Sequence, residues 1–464
     1  MADVLYARTG LVTVVNGDNE WVSSTNAELL ARVGTAELGS RLRAARVAAG
    51  LTQVQLASDI VEPSYLCRVE GGRRRPSLAV LTALSERIGA PLEELLAGMT
   101  RDRHAALQST IDFAELSLSS EDPTEALTVA DEVLDDLVGM NAPDLFESAL
   151  RLRASAREAS GDLDGAAADL ELLTAEPVAD VRWVKDLISL SRCLRESGRL
   201  DETIALEETH RADVQRLGLA ATTEAVQLIV TTSAAYILRG DRGHGLRMCM
   251  RASADAVRYG LPVAQASALW NASHVLEMRG QVDEALATAS QALKLFEESG
   301  DTRNLGRMRI QVAQIQLSLR PPDAAGALET LQRARKEIDW STASALDAAR
   351  VRLSVAGALE LLGQYPEAVA ELEASVAVSP VNAVVLLASQ AALRGRLAAA
   401  WGDLDSARRH YQQGIAISTG SGADTEAAQL WYEFGMILRG LGESELAVDA
   451  FRRAGAVQGL GIAH

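Results

Sequence analysis

From residue 121 onward the chain interrupts its own helical pattern at a nearly fixed interval. Short turns fall at Glu121, Gly161, Gly198, Gly240, Gly280, Pro322, Gly363, Gly402 and Gly442, between 37 and 42 residues apart. Five residues after each turn stands a small side chain: Ala126, Ala166, Thr203, Gly245, Ala285, Ala327, Ala368, Ala407 and Ala447. Periods of this size mark stacked supersecondary units, none of which can bury its apolar face alone. A small residue early in the second helix of a pair lets the two helices approach closely. The spacing therefore predicts about nine helical hairpins over 99–464, stacked as a solenoid. Composition agrees with an all-α chain: only 4% of the residues are aromatic and 11 of 464 are proline. Ala and Leu recur throughout and are strong helix formers, whereas strands favour β-branched and aromatic residues.

Residues 36–98 have a different rhythm. Leu38, Leu42 and Ala45 follow helical spacing up to Gly50, a stop signal. Thr52 stands where an N-cap belongs, with Val54 and Ala57 expected to face inward. After a break at Asp59–Glu62, Pro63 opens a third helix that ends at Gly71-Gly72. An arginine run, Arg73-Arg74-Arg75, leads to Pro76-Ser77 and a fourth helix through Ile88, and Pro91-Leu92 opens a fifth. Five short helices in about sixty residues, the second and third joined by a tight turn, fit a helix-turn-helix module.

Net charge separates the two regions. The whole chain carries −18, yet residues 36–98 hold eight arginines against seven acids, a net +1, and residues 1–35 carry −2. The remaining −17 belongs to 99–464, a region that should avoid DNA and suit a basic or amine-bearing ligand.

The motifs carry a resemblance. G-L-T-Q-x-x-L-A (50–57), S-Y-L-x-R-V-E-x-G-R-R-x-P-S (64–77) and I-G-x-P-x-x-x-L-L (88–96) resemble the phage-repressor-like (XRE) family of DNA-binding domains. On this resemblance the helix from Pro63 is the recognition helix. Leu66 and Val69 turn to the core, while Ser64 and Arg68, four apart, point into a major groove. Arg68 suits guanine, whose major-groove edge offers two acceptors to a guanidinium. Tyr65 flanks that face, Gln53 resembles the family's phosphate-anchoring glutamine, and Arg73, Arg74 and Arg75 are expected on further phosphates, with a solvated loop as the alternative for the run. Arg46 and Glu70 resemble the family's internal ion pair and are read as structural, and Cys67 as a small half-buried side chain.

The last repeat, Trp431-x-x-Phe434-Gly435-x-x-Leu438 followed by Ala447, Phe451 and Ala454, resembles the tetratricopeptide (TPR) pattern, with helices longer than its usual ones. A phage-repressor-like domain followed by such an array resembles the RRNPP-type quorum-sensing regulators of Gram-positive bacteria and related actinobacterial helix-turn-helix/TPR regulators. The resemblance implies a transcription regulator whose groove binds a peptide or small-molecule signal and which pairs as a homodimer, because one module reads only a half-site of double-stranded DNA. A scaffold that recruits a protein partner, localised by its DNA domain, is the alternative. Repeat spacing brings Trp270, Asn271 and His274 together on the fifth hairpin, either as a ligand patch or merely as packing and surface polarity.

Other classes find no support in the pattern. The six histidines form no H-E-x-x-H and sit near no cysteine at metal spacing; neither a Walker motif nor a nucleophile elbow occurs. No cofactor, metal or catalysis is expected. Cys67, Cys193 and Cys249 are too far apart in sequence for a framework and read as free thiols of a cytoplasmic chain, and no apolar run approaches the length of a membrane span. In the extension, residues 1–35, Leu11–Val15, Asn16–Asn19 and Glu20–Val22 read as strand, turn and strand. The sequence leaves open whether that hairpin docks on the array, pairs with a second chain or stays disordered.

Overall fold

The protein is represented by a computed structural model that describes residues 25–119, 123–299, 302–340, 345–381, 383–420 and 424–457. The strand–turn–strand reading of 11–22 lies outside them. Every regular element among the described residues is a helix, 24 in number. None is long and apolar enough to cross a membrane.

The first six helices are α1 (Asn26–Arg32), α2 (Thr35–Ala48), α3 (Gln53–Ala57), α4 (Pro63–Glu70), α5 (Leu78–Ile88) and α6 (Leu92–Ala97). Local chemistry sets their ends. Thr52 and Gln55 form a reciprocal capping box at the start of α3, Pro63 sits at the first position of α4, and Gly89 and Gly98 close α5 and α6 in the left-handed region. α2 to α6 are the five helices expected from the sequence. α1 was not expected: it lies in the segment read as an extension. Its Leu29 and Leu30, with Val33 after it, are buried in the same core as Leu38, Leu42, Leu56, Leu66, Val69, Leu81 and Leu84.

Among the described residues eighteen further helices follow, taken as consecutive pairs. They are α7 and α8 (Arg101–Ser119, Pro123–Asp136), α9 and α10 (Pro143–Ser160, Leu163–Thr174), α11 and α12 (Val181–Glu196, Leu200–Arg216), α13 and α14 (Thr223–Leu238, Arg242–Tyr259), and α15 and α16 (Pro262–Met278, Val282–Ser299). The last four are α17 and α18 (Thr302–Ser318, Ala324–Trp340), α19 and α20 (Ala345–Leu361, Tyr365–Val378), α21 and α22 (Val384–Ala400, Leu404–Gly420), and α23 and α24 (Asp424–Gly440, Ser444–Val457). Each small residue picked out by the repeat is buried in the second helix of its pair. Gly245 shows why size matters there, since a Cβ on it would come within 2.6 Å of the Ile237 side chain. In the last two hairpins the glycine is on the first helix instead. Gly395 receives Tyr411 and Gly435 receives Phe451, and in both a Cβ would meet the ring at 2.6 Å.

The chain forms two compact units. One comprises the described residues of Met1–Val178 with Arg192–Arg199, the other Ala179–Ser191 with the described residues of Leu200–His464. The first unit therefore holds α1 to α10, so the six N-terminal helices and two hairpins are packed as one body. Arg41 on α2 joins them: its guanidinium donates to the Leu96 carbonyl at 2.6 Å and to the Gly139 carbonyl at 2.7 Å. Asn141, in the turn between α8 and α9, donates from its side chain to Leu29 O (2.9 Å) and Leu96 O (3.2 Å) and from its backbone to Ala97 O (2.8 Å). Buried carbonyls at helix ends need such partners, and here two polar side chains supply them.

Candidate functional site

The exposed face of α4 follows from what its other face must bury. Leu66 and Val69 are sealed in the core, and Glu70 at the end of the helix is buried with them. Glu70 Oε1 accepts from Arg46 Nε at 2.6 Å, its Oε2 from Arg46 Nη2 at 3.0 Å and from Gln53 Nε2 at 2.8 Å, while Arg46 also donates to Leu51 O at 2.7 Å. Burial alone would push the Glu70 carboxyl up, but the hydrogen bonds from Arg46 and Gln53, helped by the charges of Arg46 and Arg43, hold its pKa below the ordinary value. The pair read as structural is thus a buried, fully bonded cluster that pins α4 to α2 and α3. The helices cross closely as well, for a Cβ on Gly39 would lie 2.3 Å from Val69 O.

With α4 fixed, Ser64 and Arg68 stand exposed on its outer face. Cys67 shares that face and is exposed, not half-buried, because it follows Ser64 by three residues, less than one turn. Sequence reasoning missed it as a surface group. Tyr65 is half-buried at the edge of this face, with the Arg74 guanidinium 4.9 Å over its ring. Arg73 is exposed beside it.

Two expectations need correcting. Arg75 is withdrawn from the phosphate-contact set: its guanidinium donates to the carbonyls of Leu30, Ala31 (3.3 Å) and Val33 (2.7 Å), sealing the C-terminal end of α1. Val54 does not face inward but is 65% exposed, because Leu56 and Ala57 take the core positions of the short α3 while Gln53 turns to Glu70. Gln53 spends one amide hydrogen on Glu70 and keeps the other free to donate elsewhere.

In the second unit, the first helices of four successive hairpins, α15, α17, α19 and α21, line a groove with a cavity of about 440 Å³. Equivalent residues recur near 40 positions, so the wall is built in rows. One row runs Trp270, Ile310, Arg350, Ser389; another runs His274, Gln314, Ser354. Two bonds between residues 40 apart tie neighbouring helices: Arg307 Nη2 to Asp347 Oδ2 at 2.7 Å and Gln314 Nε2 to Ser354 Oγ at 3.4 Å. Trp270 and His274 both line the cavity. Asn271 does not line it, since its amide folds back on its own helix to Ser267 O at 2.9 Å. Solvent reaches His274, yet the surrounding walls displace enough water to lower its pKa, so it is neutral at pH 7. Trp270 packs edge-on against Phe296, with ring centroids 6.0 Å apart.

Comparison with known proteins places two parts of the chain. Residues 37–97 match the helix-turn-helix domain family and residues 428–454 the tetratricopeptide repeat family. Those two stretches are therefore a helix-turn-helix domain and a tetratricopeptide repeat. No curated protein matches it. Among solved structures, a Rap protein complexed with competence and sporulation factor is 12% identical, with 76% of this chain and 98% of that one covered at a TM-score of 0.52. The Rap conjugation gene regulator of plasmid pLS20, in complex with the Phr* peptide, is also 12% identical, covering 77% and 99% at 0.51. PlcR of Bacillus thuringiensis, complexed with the peptide PapR7 and DNA, is 17% identical, with 57% and 96% covered, and superposes only at 0.34. The Rap likenesses are likenesses of fold.

Proposed function

We propose that the chain is a sequence-specific DNA-binding transcription regulator, gated by a peptide or small-molecule signal held in the groove of α15, α17, α19 and α21. The observation that carries the DNA half is α4. It is pinned by a buried ion pair, and it leaves Ser64, Cys67 and Arg68 on one exposed face beside Arg73 and Arg74. A helix so held can enter a major groove with Arg68 reaching base edges, while Gln53, Tyr65, Arg73 and Arg74 meet sugar and phosphate. Two copies would read a two-fold site, so the active species is a homodimer.

The groove supports the signal half. Four helices spaced at about 8–10 Å span roughly 24–30 Å, which suits an extended peptide of about seven to nine residues. One solved Rap protein with this repeat fold is described as in complex with the Phr* peptide, another as complexed with competence and sporulation factor. A ligand that prefers one arrangement of the array shifts the population that is competent for DNA.

The test is fluorescence anisotropy of the full chain on a duplex selected from random DNA, with and without a low-mass fraction of cell extract. A change in affinity of tenfold or so, abolished by protease or by ligand-groove substitutions, supports gating. Affinity that no low-mass fraction moves removes the signal half and leaves the DNA half standing.

A further inference from the structure

The array is strongly acidic, yet its groove is not. The cavity walls carry two arginines, Arg307 and Arg350, against a single carboxylate, Asp347. That carboxylate is buried and already taken, since Arg307 reaches Asp347 Oδ2 through Nε at 3.0 Å and Nη2 at 2.7 Å. Arg350 stands exposed one turn further along α19, and its guanidinium has no hydrogen bond or ion pair among the described residues. The remaining titratable side chain on these walls, His274, is neutral at pH 7 because its pKa is lowered. The cavity thus carries a net positive charge, focused on one unpaired guanidinium with the hydroxyls of Ser354 and Ser389 nearby along the wall.

We infer that the groove selects a ligand bearing a carboxylate, which Arg350 receives. The inference rests on the reading of this groove as the signal site and specifies the ligand's charge. The guanidinium fork matches a carboxylate with two parallel N–H···O bonds, a geometry that a lone ammonium cannot reproduce. Glu277, which does not line the cavity, is taken up by Gln311 Nε2 at 2.8 Å, and the acids further off do not cancel this attraction. At physiological salt their field is screened beyond about 8 Å, whereas Arg350 acts in contact, inside walls that thin the water. The charge of the array as a whole would suggest a basic ligand; the charge at the cavity gives the opposite answer, and contact distance decides between them. A peptide can supply the carboxylate from its C-terminus or from an aspartate or glutamate side chain.

The probes are three pools of synthetic heptapeptides, passed over the immobilised full chain at 0.15 M salt. The first lacks Asp and Glu and has a free C-terminal carboxylate; the second is the same pool amidated; the third is amidated but contains Asp and Glu. Retention of the first or third pool over the second supports the inference and says which carboxylate is used. Arg350→Gln should then lower that retention by about 10- to 100-fold, the worth of a charge-assisted hydrogen bond, while Arg350→Lys recovers part of it. Because Arg350 is exposed, neither variant disturbs packing. Equal retention of all three pools, unaffected by Arg350→Gln, overturns the carboxylate inference and leaves a peptide groove. Retention of none overturns the peptide reading and the inference with it.

Discussion

Asn141 donates its side-chain amide to the Leu29 carbonyl at 2.9 Å, joining the turn between α8 and α9 to a helix 112 residues earlier. With its second contact to Leu96 O and the Arg41–Gly139 bond, it ties α1, α2 and α6 to the first two hairpins. Asn141→Ala should cost about 1–3 kcal/mol of unfolding free energy in urea, because the Leu29 and Leu96 carbonyls each lose one of their donors. Amide exchange at α1 and α6 should quicken in the same variant. Unchanged stability and exchange would mean the contact joins nothing.

The Arg46–Glu70 pair gives a pH signature. Glu70 titrates below its unfolded value of 4.5, so its contribution is present above that pH and is lost as pH falls through the folded pKa. Thermal melts of the isolated pH effect should show wild type losing stability below about pH 4.5 more steeply than Glu70→Gln. At pH 7, Glu70→Gln should already be destabilised by about 3–5 kcal/mol, because Arg46 is left as a buried charge with a neutral partner. Parallel slopes for the two proteins would contradict the assignment.

Gly39→Ala sets two effects against each other. Alanine is worth about 1 kcal/mol over glycine inside a helix. Its Cβ, however, would sit 2.3 Å from Val69 O and 3.0 Å from Glu70 O, both backbone atoms that cannot swing aside. Separating α2 from α4 costs about 1–3 kcal/mol or more, so the clash wins and the variant is less stable. A gain in midpoint urea concentration would refute the close crossing.

The three loop arginines divide by role, and salt dependence separates them. Arg73→Ala and Arg74→Ala should each weaken binding to all duplexes and lower the slope of log affinity against log salt by about 0.9. Arg75→Ala should leave that slope unchanged and instead lower stability, since it uncaps α1. A reduced salt slope in Arg75→Ala would restore it to the phosphate set.

The repeat and the five-helix module were both legible because each rests on local signals: a turn glycine, a small residue five positions on, a cap, a proline. What escaped depends on partners distant in the chain. Arg75 looks like the continuation of a basic run until Leu30 and Val33 are seen to claim it. α1 is the exception, for a local signal was there: Thr25 and Glu28 form a capping box just before Leu29 and Leu30. Val54 and Ala57 are three apart and fit one face, but the Gln53–Glu70 bond rotates the five-residue α3 so that Val54 meets solvent. At the groove, spacing found Trp270 and His274 but not Arg350 or Asp347. Only the stacking of rows from neighbouring hairpins brings those to the same cavity.

On the proposed function, α4 reads base sequence through Arg68. Selection of bound duplexes from a random pool, with the full chain and with Arg68→Ala, tests it most directly. The wild type should enrich a two-fold motif. Arg68→Ala should keep its fold and non-specific binding, lose about 1–3 kcal/mol on that motif, and lose preference at one position in each half-site. An unchanged motif in Arg68→Ala would contradict the account.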